Sequence, residues 1–195
     1  MQAITLPCPS CGASVAQTDS ECEFCHSKII ITRLDEARSM SALQLKKYAA
    51  SYTKTLAEQP DNAAVQQSVG LCYMQLRLFE KAQAAFERAI EQAPDNAEVY
   101  YCAAISQLQG KKPFLTPRAN IDRAIEYLDA ADMLEPRGIH HYLLAYIKKD
   151  YFERKYLNVS PAWHEELEQA YELGVREEEV RELFATIGVE PVMLG

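Results

Sequence analysis

The turn Pro60-Asp61-Asn62-Ala63 returns as Pro94-Asp95-Asn96-Ala97, an interval of 34 residues. A fixed period of this length restricts a chain more than its composition does. Each period is one supersecondary unit that cannot bury its apolar face alone, so neighbouring units must stack into a shared core. At 195 residues the chain has room for one ordinary helical domain built this way and one small extra module.

The segment from Ala63 to Asn96 resembles the tetratricopeptide repeat (TPR) family. Gly70 and Tyr73 fall at that family's small and aromatic positions on the first helix. Ala82, Phe86 and Ala89 fall at the small, large and small positions of the second, and Pro94 closes the unit. Small residues let two antiparallel helices approach closely, while aromatics fill the gap toward the next repeat. The resemblance implies a mostly α fold, a solenoid of antiparallel helix pairs over residues 63–188. Its repeats would span 63–96, 97–136 and 137–174, followed by a C-terminal capping helix and a tail at 189–195.

The second unit is eight residues too long, because Pro136 follows Pro94 by 42. Its first helix starts at Ala97 and holds Tyr100, Ala103 and Ala104, while its second keeps Ala124, Leu128 and Ala131 in register with Pro136. The excess therefore lies between the helices, at residues 109–117. Insertions there map to loops on one face. Two readings stand: a tolerated surface loop, or a docking element carried by Phe114 and Leu115.

The third unit is more degenerate. Residues 139–156 read as one helix. Ser160 as N-cap and Pro161 at the first helical position would open a partner helix over 162–173, with Gly174 as its C-terminal cap. A last amphipathic helix from Glu177 to Ile187 turns Val180, Leu183, Phe184 and Ile187 inward and would cap the stack. Upstream, residues 33–62 read as a connection and a packing helix. That helix runs from Ser39 to Gln59 with Ser39 or Ser41 as cap, and Tyr48 and Tyr52 stand where the repeat family has alanine and phenylalanine.

Residues 1–32 carry a different signal. Cys8 and Cys11 form one C-x-x-C pair and Cys22 and Cys25 a second, with ten residues between the pairs. Two such pairs supply the four soft donors of a tetrahedral Zn2+ ion, each pair giving half the tetrahedron. A segment of about 30 residues cannot bury enough apolar surface to fold alone, so one structural zinc would serve as its core. Leu6-Pro7-Cys8-Pro9-Ser10-Cys11-Gly12-Ala13 and Cys22-Glu23-Phe24-Cys25 resemble the short zinc-ribbon module found at the ends of many bacterial proteins. Gly12 suits the first knuckle, where the chain needs a positive φ. His26 replaces the usual glycine of the second knuckle. It is either a neighbour that tolerates the left-handed region or an additional donor.

Other patterns fit these cysteines less well. Cys22-Glu23-Phe24-Cys25-His26 matches the c-type haem attachment pattern, but the first residues offer neither a basic nor an apolar leader segment, and haem would leave the other pair unexplained. A thioredoxin-like pair expects a βαβ context. Structural disulfides need an oxidising compartment. A zinc site that oxidation opens is a further reading. Cys72 and Cys102 sit in helical patterns and read as buried packing.

The net charge of −8 disfavours general nucleic-acid or anionic-membrane binding. The ribbon itself has Asp19, Glu21 and Glu23 against Lys28. No stretch has the apolar length of a membrane span. No phosphate loop or nucleophile–base set stands in supporting context, and four cysteines leave no open position for catalysis on the metal. The chain therefore reads as a non-enzyme.

The TPR resemblance implies an inner face built from first helices. Its peptide-groove positions map to Gln67, Leu71 and Met74, then Tyr101, Ile105 and Leu108, then His141 with Ala145. This mostly apolar lining lacks the basic and amide clamp used for acidic C-terminal peptides. It suits an amphipathic helix or an apolar extended peptide. The face could also be filled by neighbouring helices or by the apolar tail, in cis or in a homodimer. The expected function is a cytoplasmic bacterial adaptor that binds a protein partner, with the ribbon as a second contact surface. The alternatives are a nucleic-acid-associated regulator that reads through the ribbon and a thiol-switched, zinc-dependent holdase.

Overall fold

The computed structural model describes residues 5–192 and 194. Among them the fold is mostly helical, with nine α-helices, six of which form three helix pairs of TPR-like form, and a small two-stranded sheet near the N-terminus. The chain divides into two compact units, residues 1–94 and 95–195.

The first unit opens with β1 (Thr5–Pro7) and β2 (Ser14–Ala16), antiparallel and paired with Leu6 opposite Val15. A short helix α1 (Leu34–Arg38) precedes α2 (Ala42–Glu58), α3 (Ala63–Gln75) and α4 (Phe79–Gln92). The expected packing helix is α2, with Ser41, one of the two expected caps, at its N-terminus, and a break at residues 39–41 separates it from α1. The break follows from capping. Ser41 Oγ accepts from Gln44 N at 3.3 Å, while Ser41 N donates to Gln44 Oε1 at 2.9 Å, a reciprocal box that starts a helix rather than continues one.

The repeated Asn62 and Asn96 have one job in both places. Each side chain accepts from a backbone N–H three residues on, Val65 at 3.2 Å and Val99 at 3.4 Å, capping the helix that follows. Between α3 and α4 the close approach is made at Gly70. A Cβ added there would lie 2.6 Å from the fully buried Phe86 ring. Gly70→Ala is therefore expected to destabilise the first unit by about 1–2 kcal/mol, because overpacking of roughly 1–3 kcal/mol exceeds the helix-propensity gain of alanine. A urea titration checks this, and unchanged stability would mean that Phe86 can move aside.

The second unit contains α5 (Ala97–Gln107), a 3-10 turn at Pro113–Leu115, α6 (Arg118–Leu134), α7 (Gly138–Ile147), α8 (Trp163–Glu172) and α9 (Glu177–Ile187). The expected single helix over 139–156 is interrupted. Past Ile147 it widens into a π turn at Lys148–Phe152 and then tightens at Glu153–Lys155, ending on Tyr156 in the left-handed region. This departure accompanies a buried polar group: Lys148 is turned inward to Glu166. The partner helix begins at Trp163, with Ala162 as its N-cap in place of Ser160. The Ala162 amide donates to Glu165 Oε2. Gly174 and Gly188 take positive φ at the ends of α8 and α9.

The tail folds back in cis. Tyr142 Oη donates to the Val192 carbonyl at 3.0 Å and accepts from Leu194 N at 3.1 Å, with Leu194 buried. Met193 and Gly195 of the tail lie outside the described residues. No helix among the described residues is long and apolar enough to cross a membrane.

Candidate functional site

The two C-x-x-C turns have the same local build. Gly12 N donates to Cys8 O at 2.9 Å and Cys8 N to Ala13 O at 2.7 Å. In the second knuckle His26 N donates to Cys22 O at 2.8 Å and Cys22 N to Ser27 O at 2.9 Å. Both turns need a left-handed residue after the second cysteine. Gly12 supplies it at φ 82°, and His26 at φ 54°. Histidine thus takes the glycine position of the second knuckle without changing its hydrogen bonds.

These turns bring the four sulfurs of Cys8, Cys11, Cys22 and Cys25 within 4.8 Å of one another. Cys8 Sγ lies 3.7 Å from Cys25 Sγ, and Cys11 Sγ 3.6 Å from Cys22 Sγ. A disulfide would require about 2.05 Å. A tetrahedron with metal–sulfur bonds of 2.3 Å has an edge of about 3.8 Å. The close pairs run between the knuckles, so an ion at the centre would join the two turns. The donor set therefore fits one tetrahedral, thiolate-bound metal ion.

Two of the thiols are shifted in opposite directions. Hydrogen bonds from the Ser27 side chain and backbone pull Cys25 down to about 6. At Cys11 the hydrogen bond from the Ala13 backbone pulls the thiol down, but desolvation and the neighbouring sulfurs outweigh it and leave it at about 12.

Beyond the second knuckle Lys28 is bridged to Glu21, the chain bends at Ile29, and residues 28–32 run against α2 and α3. Tyr48 Oη donates to Lys28 O at 3.0 Å and Tyr52 Oη to Ile29 O at 2.9 Å. Ser68 Oγ donates to Ile31 O at 2.9 Å and accepts from Ile31 N at 3.1 Å, while Gln67 Nε2 donates to Thr32 O at 2.6 Å. Ile29 and Ile31 are fully buried, and Ile30 between them is not. The ribbon is held further by a reciprocal amide pair between Gln17 and Asn62 at 2.8 and 3.1 Å. Ribbon and first helix pair therefore pack as one body within this unit.

The positions assigned to the peptide groove fall as follows. Gln67, Leu71 and Met74 are buried in the first unit, with Gln67 on the Thr32 carbonyl. Tyr101, Ile105 and Leu108 are buried in the second, and the Tyr101 ring lies 5.3 Å from that of His140. His141 sits between two acids, its Nδ1 2.6 Å from Glu166 and its Nε2 3.2 Å from Asp132.

That bridge belongs to a polar network the sequence does not announce. Glu166 also receives Lys148 Nζ at 2.5 Å, and both of these side chains are buried. Asp132, His141, Lys148 and Glu166 tie α6, α7 and α8 together. His140 beside them is fully buried, 3.7 Å from Asp132, with no hydrogen-bond partner for either ring nitrogen among the described residues. Burial, together with Arg137 and His141, lowers His140 to about 4 against the pull of Asp132. Its folded value lies below the unfolded 6.5, so its stabilising effect is complete above pH 6.5 and is lost as pH falls toward 4. The loss should be on the order of 3 kcal/mol. Urea titrations at several pH values should show that slope, and His140→Phe should remove it. An identical slope in the variant would assign it to other groups.

The 109–117 insertion is pinned rather than loose. Phe114 N donates to Asp150 Oδ2 at 2.8 Å, and the Arg154 guanidinium lies 4.1 Å over the Phe114 ring. Leu115 alongside is largely exposed.

A tetratricopeptide repeat profile matches residues 42–108, which covers α2 through α5. No curated protein matches the chain. Among solved structures, MamA AMB-1 (P212121) aligns with a TM-score of 0.51 at 21% identity, over 75% of this chain and 82% of that one. MamA MSR-1 (C2) aligns with a TM-score of 0.47 at 22% identity, over 72% and 82%. At this identity the first likeness concerns the fold, and it agrees with the helix pairs described above.

Proposed function

We propose that the chain is a non-enzymatic scaffold for protein–protein contact, with its N-terminal ribbon closed by a single structural Zn2+. The observation that carries the scaffold reading is the stack of helix pairs, whose TPR profile match spans 42–108. Such arrays present their first helices to an extended or helical segment of another protein. Within each unit by itself this reading takes the first-helix positions, Gln67, Leu71 and Met74 in one and Tyr101, Ile105, Leu108 and His141 in the other, as the contact candidates; all but His141 are buried in the chain, so contact there requires their exposure. The cysteine tetrad supports the metal: four sulfurs at tetrahedral spacing, on two turns of the same build. Zinc supplies no chemistry there beyond holding the ribbon together.

The test is affinity capture of the tagged full chain from cells of the source organism, followed by size determination of what is recovered. The expected outcome is a discrete protein partner in fixed proportion. Recovery of the chain alone, from cells in which it is expressed and folded, would end the scaffold reading.

A further inference from the structure

The segment 28–32 lies in the α2–α3 cleft as a bound peptide would. Its side chains alternate, Ile29 and Ile31 inward and Ile30 away. At its start the main chain is bridged to the ribbon, Lys28 opposite Glu21 and Ile29 N donating to Ser20 O at 3.3 Å, and from there its carbonyls are held by helix side chains. Four carbonyls, those of Lys28, Ile29, Ile31 and Thr32, each receive a side-chain donor, and the Ile31 amide is taken by Ser68. Donors that read carbonyls are indifferent to the sequence they hold. Selectivity comes from the two apolar places under Ile29 and Ile31.

We propose that the cleft between α2 and α3 is a binding site for an extended apolar-x-apolar segment of a partner protein, with residues 28–32 as its occupant in cis while the ribbon is closed. The proposal deepens the scaffold reading and rests on it, and it names both the site and the chemistry of the ligand. Tethering explains why the site is filled. A segment joined to its own cleft by a short connection has an effective concentration of order millimolar, which outcompetes a free peptide of similar affinity. Anything that withdraws residues 28–32 then turns the cleft over to a segment in trans.

The experiment uses the full chain and a fluorescein-labelled probe with the sequence of residues 27–33, Ser-Lys-Ile-Ile-Ile-Thr-Arg. Ile29→Asn with Ile31→Asn weakens the cis occupant without touching a cysteine. Fluorescence anisotropy should show the probe binding this variant at least about tenfold more tightly than the parent. Adding Tyr52→Phe and Ser68→Ala, which remove carbonyl donors, should weaken probe binding about tenfold, as expected for roughly 1.4 kcal/mol. An unlabelled peptide of residues 177–187, amphipathic and helix-forming, should not compete.

The proposal is overturned if the probe fails to bind a variant whose helical circular dichroism is intact. It is equally overturned if parent and variant bind alike, if the loss of Tyr52 and Ser68 donors changes nothing, or if the helical peptide competes. Should the isoleucine variant fail to fold, the parent stripped of metal by a chelator takes its place. Probe binding that appears on stripping and reverses with added Zn2+ supports the site, and a stripped, still helical chain that ignores the probe rejects it. Absence of zinc from the purified parent would remove the metal reading and leave the isoleucine test standing. A captured partner with no probe binding would place the scaffold's contact elsewhere.

Discussion

Cys22→Ser is expected to abolish metal binding and unfold residues 5–32 while leaving the helices beyond α3 in place. Cys22 is the fully buried member of the tetrad, 3.6 Å from Cys11, and its amide closes the second knuckle on Ser27. Serine keeps the turn residue but removes the soft thiolate, and three sulfurs do not complete a closed tetrahedral site. The sheet cannot compensate, since β1 and β2 pair over only three residues each, and a two-stranded hairpin is marginal in water. Zinc in finger-sized modules contributes apparent binding free energies of about 10–16 kcal/mol, and that free energy is their folding free energy. Metal content should fall from one per chain to below about 0.1. Hydrogen exchange should speed up over 5–32 and over the facing parts of α2 and α3, which lose the partners of Tyr48, Tyr52, Gln67 and Ser68. Unchanged exchange over 5–32 would show that the ribbon folds on packing alone.

Glu166→Leu should destabilise the second unit by about 3–5 kcal/mol. Glu166 accepts from Lys148 and bridges His141, and its removal leaves an ammonium buried at 4% exposure without its counter-charge. The ammonium's ion pair is with Glu166; Asp129, whose carboxyl burial pushes up while Lys148 pulls it down, is a nearby acid. The double replacement Lys148→Met with Glu166→Leu should recover most of the loss, since a buried pair exchanged for apolar residues of similar volume is often neutral. Urea unfolding of the four species in the cycle measures the coupling. A single Glu166→Leu effect below about 1 kcal/mol would mean that Lys148 escapes to water through the π turn.

Much of this was legible in the residues because it rests on local rules. The 34-residue period placed the α3–α4 pair, and the contact of Gly70 with Phe86 is the physical content of its small and large positions. The cysteine spacing anticipated two equivalent turns, and Gly12 and His26 take the backbone conformation that spacing requires. Helix α9 occupies the expected residues Glu177–Ile187, with its expected inward face.

What sequence reading missed is mostly long-range and polar. Tyr48 and Tyr52 stood out as departures from the repeat pattern, and their hydroxyls turn out to reach carbonyls 20 and 23 residues earlier in the chain. Such a pairing has no period to betray it. The TPR resemblance implies a groove position for His141, and the acids on α6 and α8 that hold its ring leave no mark in that pattern. Lys148 lies in what reads as a continuous helix, and the wider turn that goes with its burial leaves no mark in hydrophobic periodicity. The start of α2 is legible by contrast: Ser41 is one of the two expected caps, and with Gln44 it forms a capping box whose spacing stands in the sequence.

The most direct test of the account is native mass spectrometry of the full chain purified without added metal. The account predicts one Zn2+ per chain, lost on denaturation together with the exposure of all six thiols, the four ligands and the buried Cys72 and Cys102. A folded chain of apoprotein mass, with Cys8, Cys11, Cys22 and Cys25 freely alkylated, would contradict it.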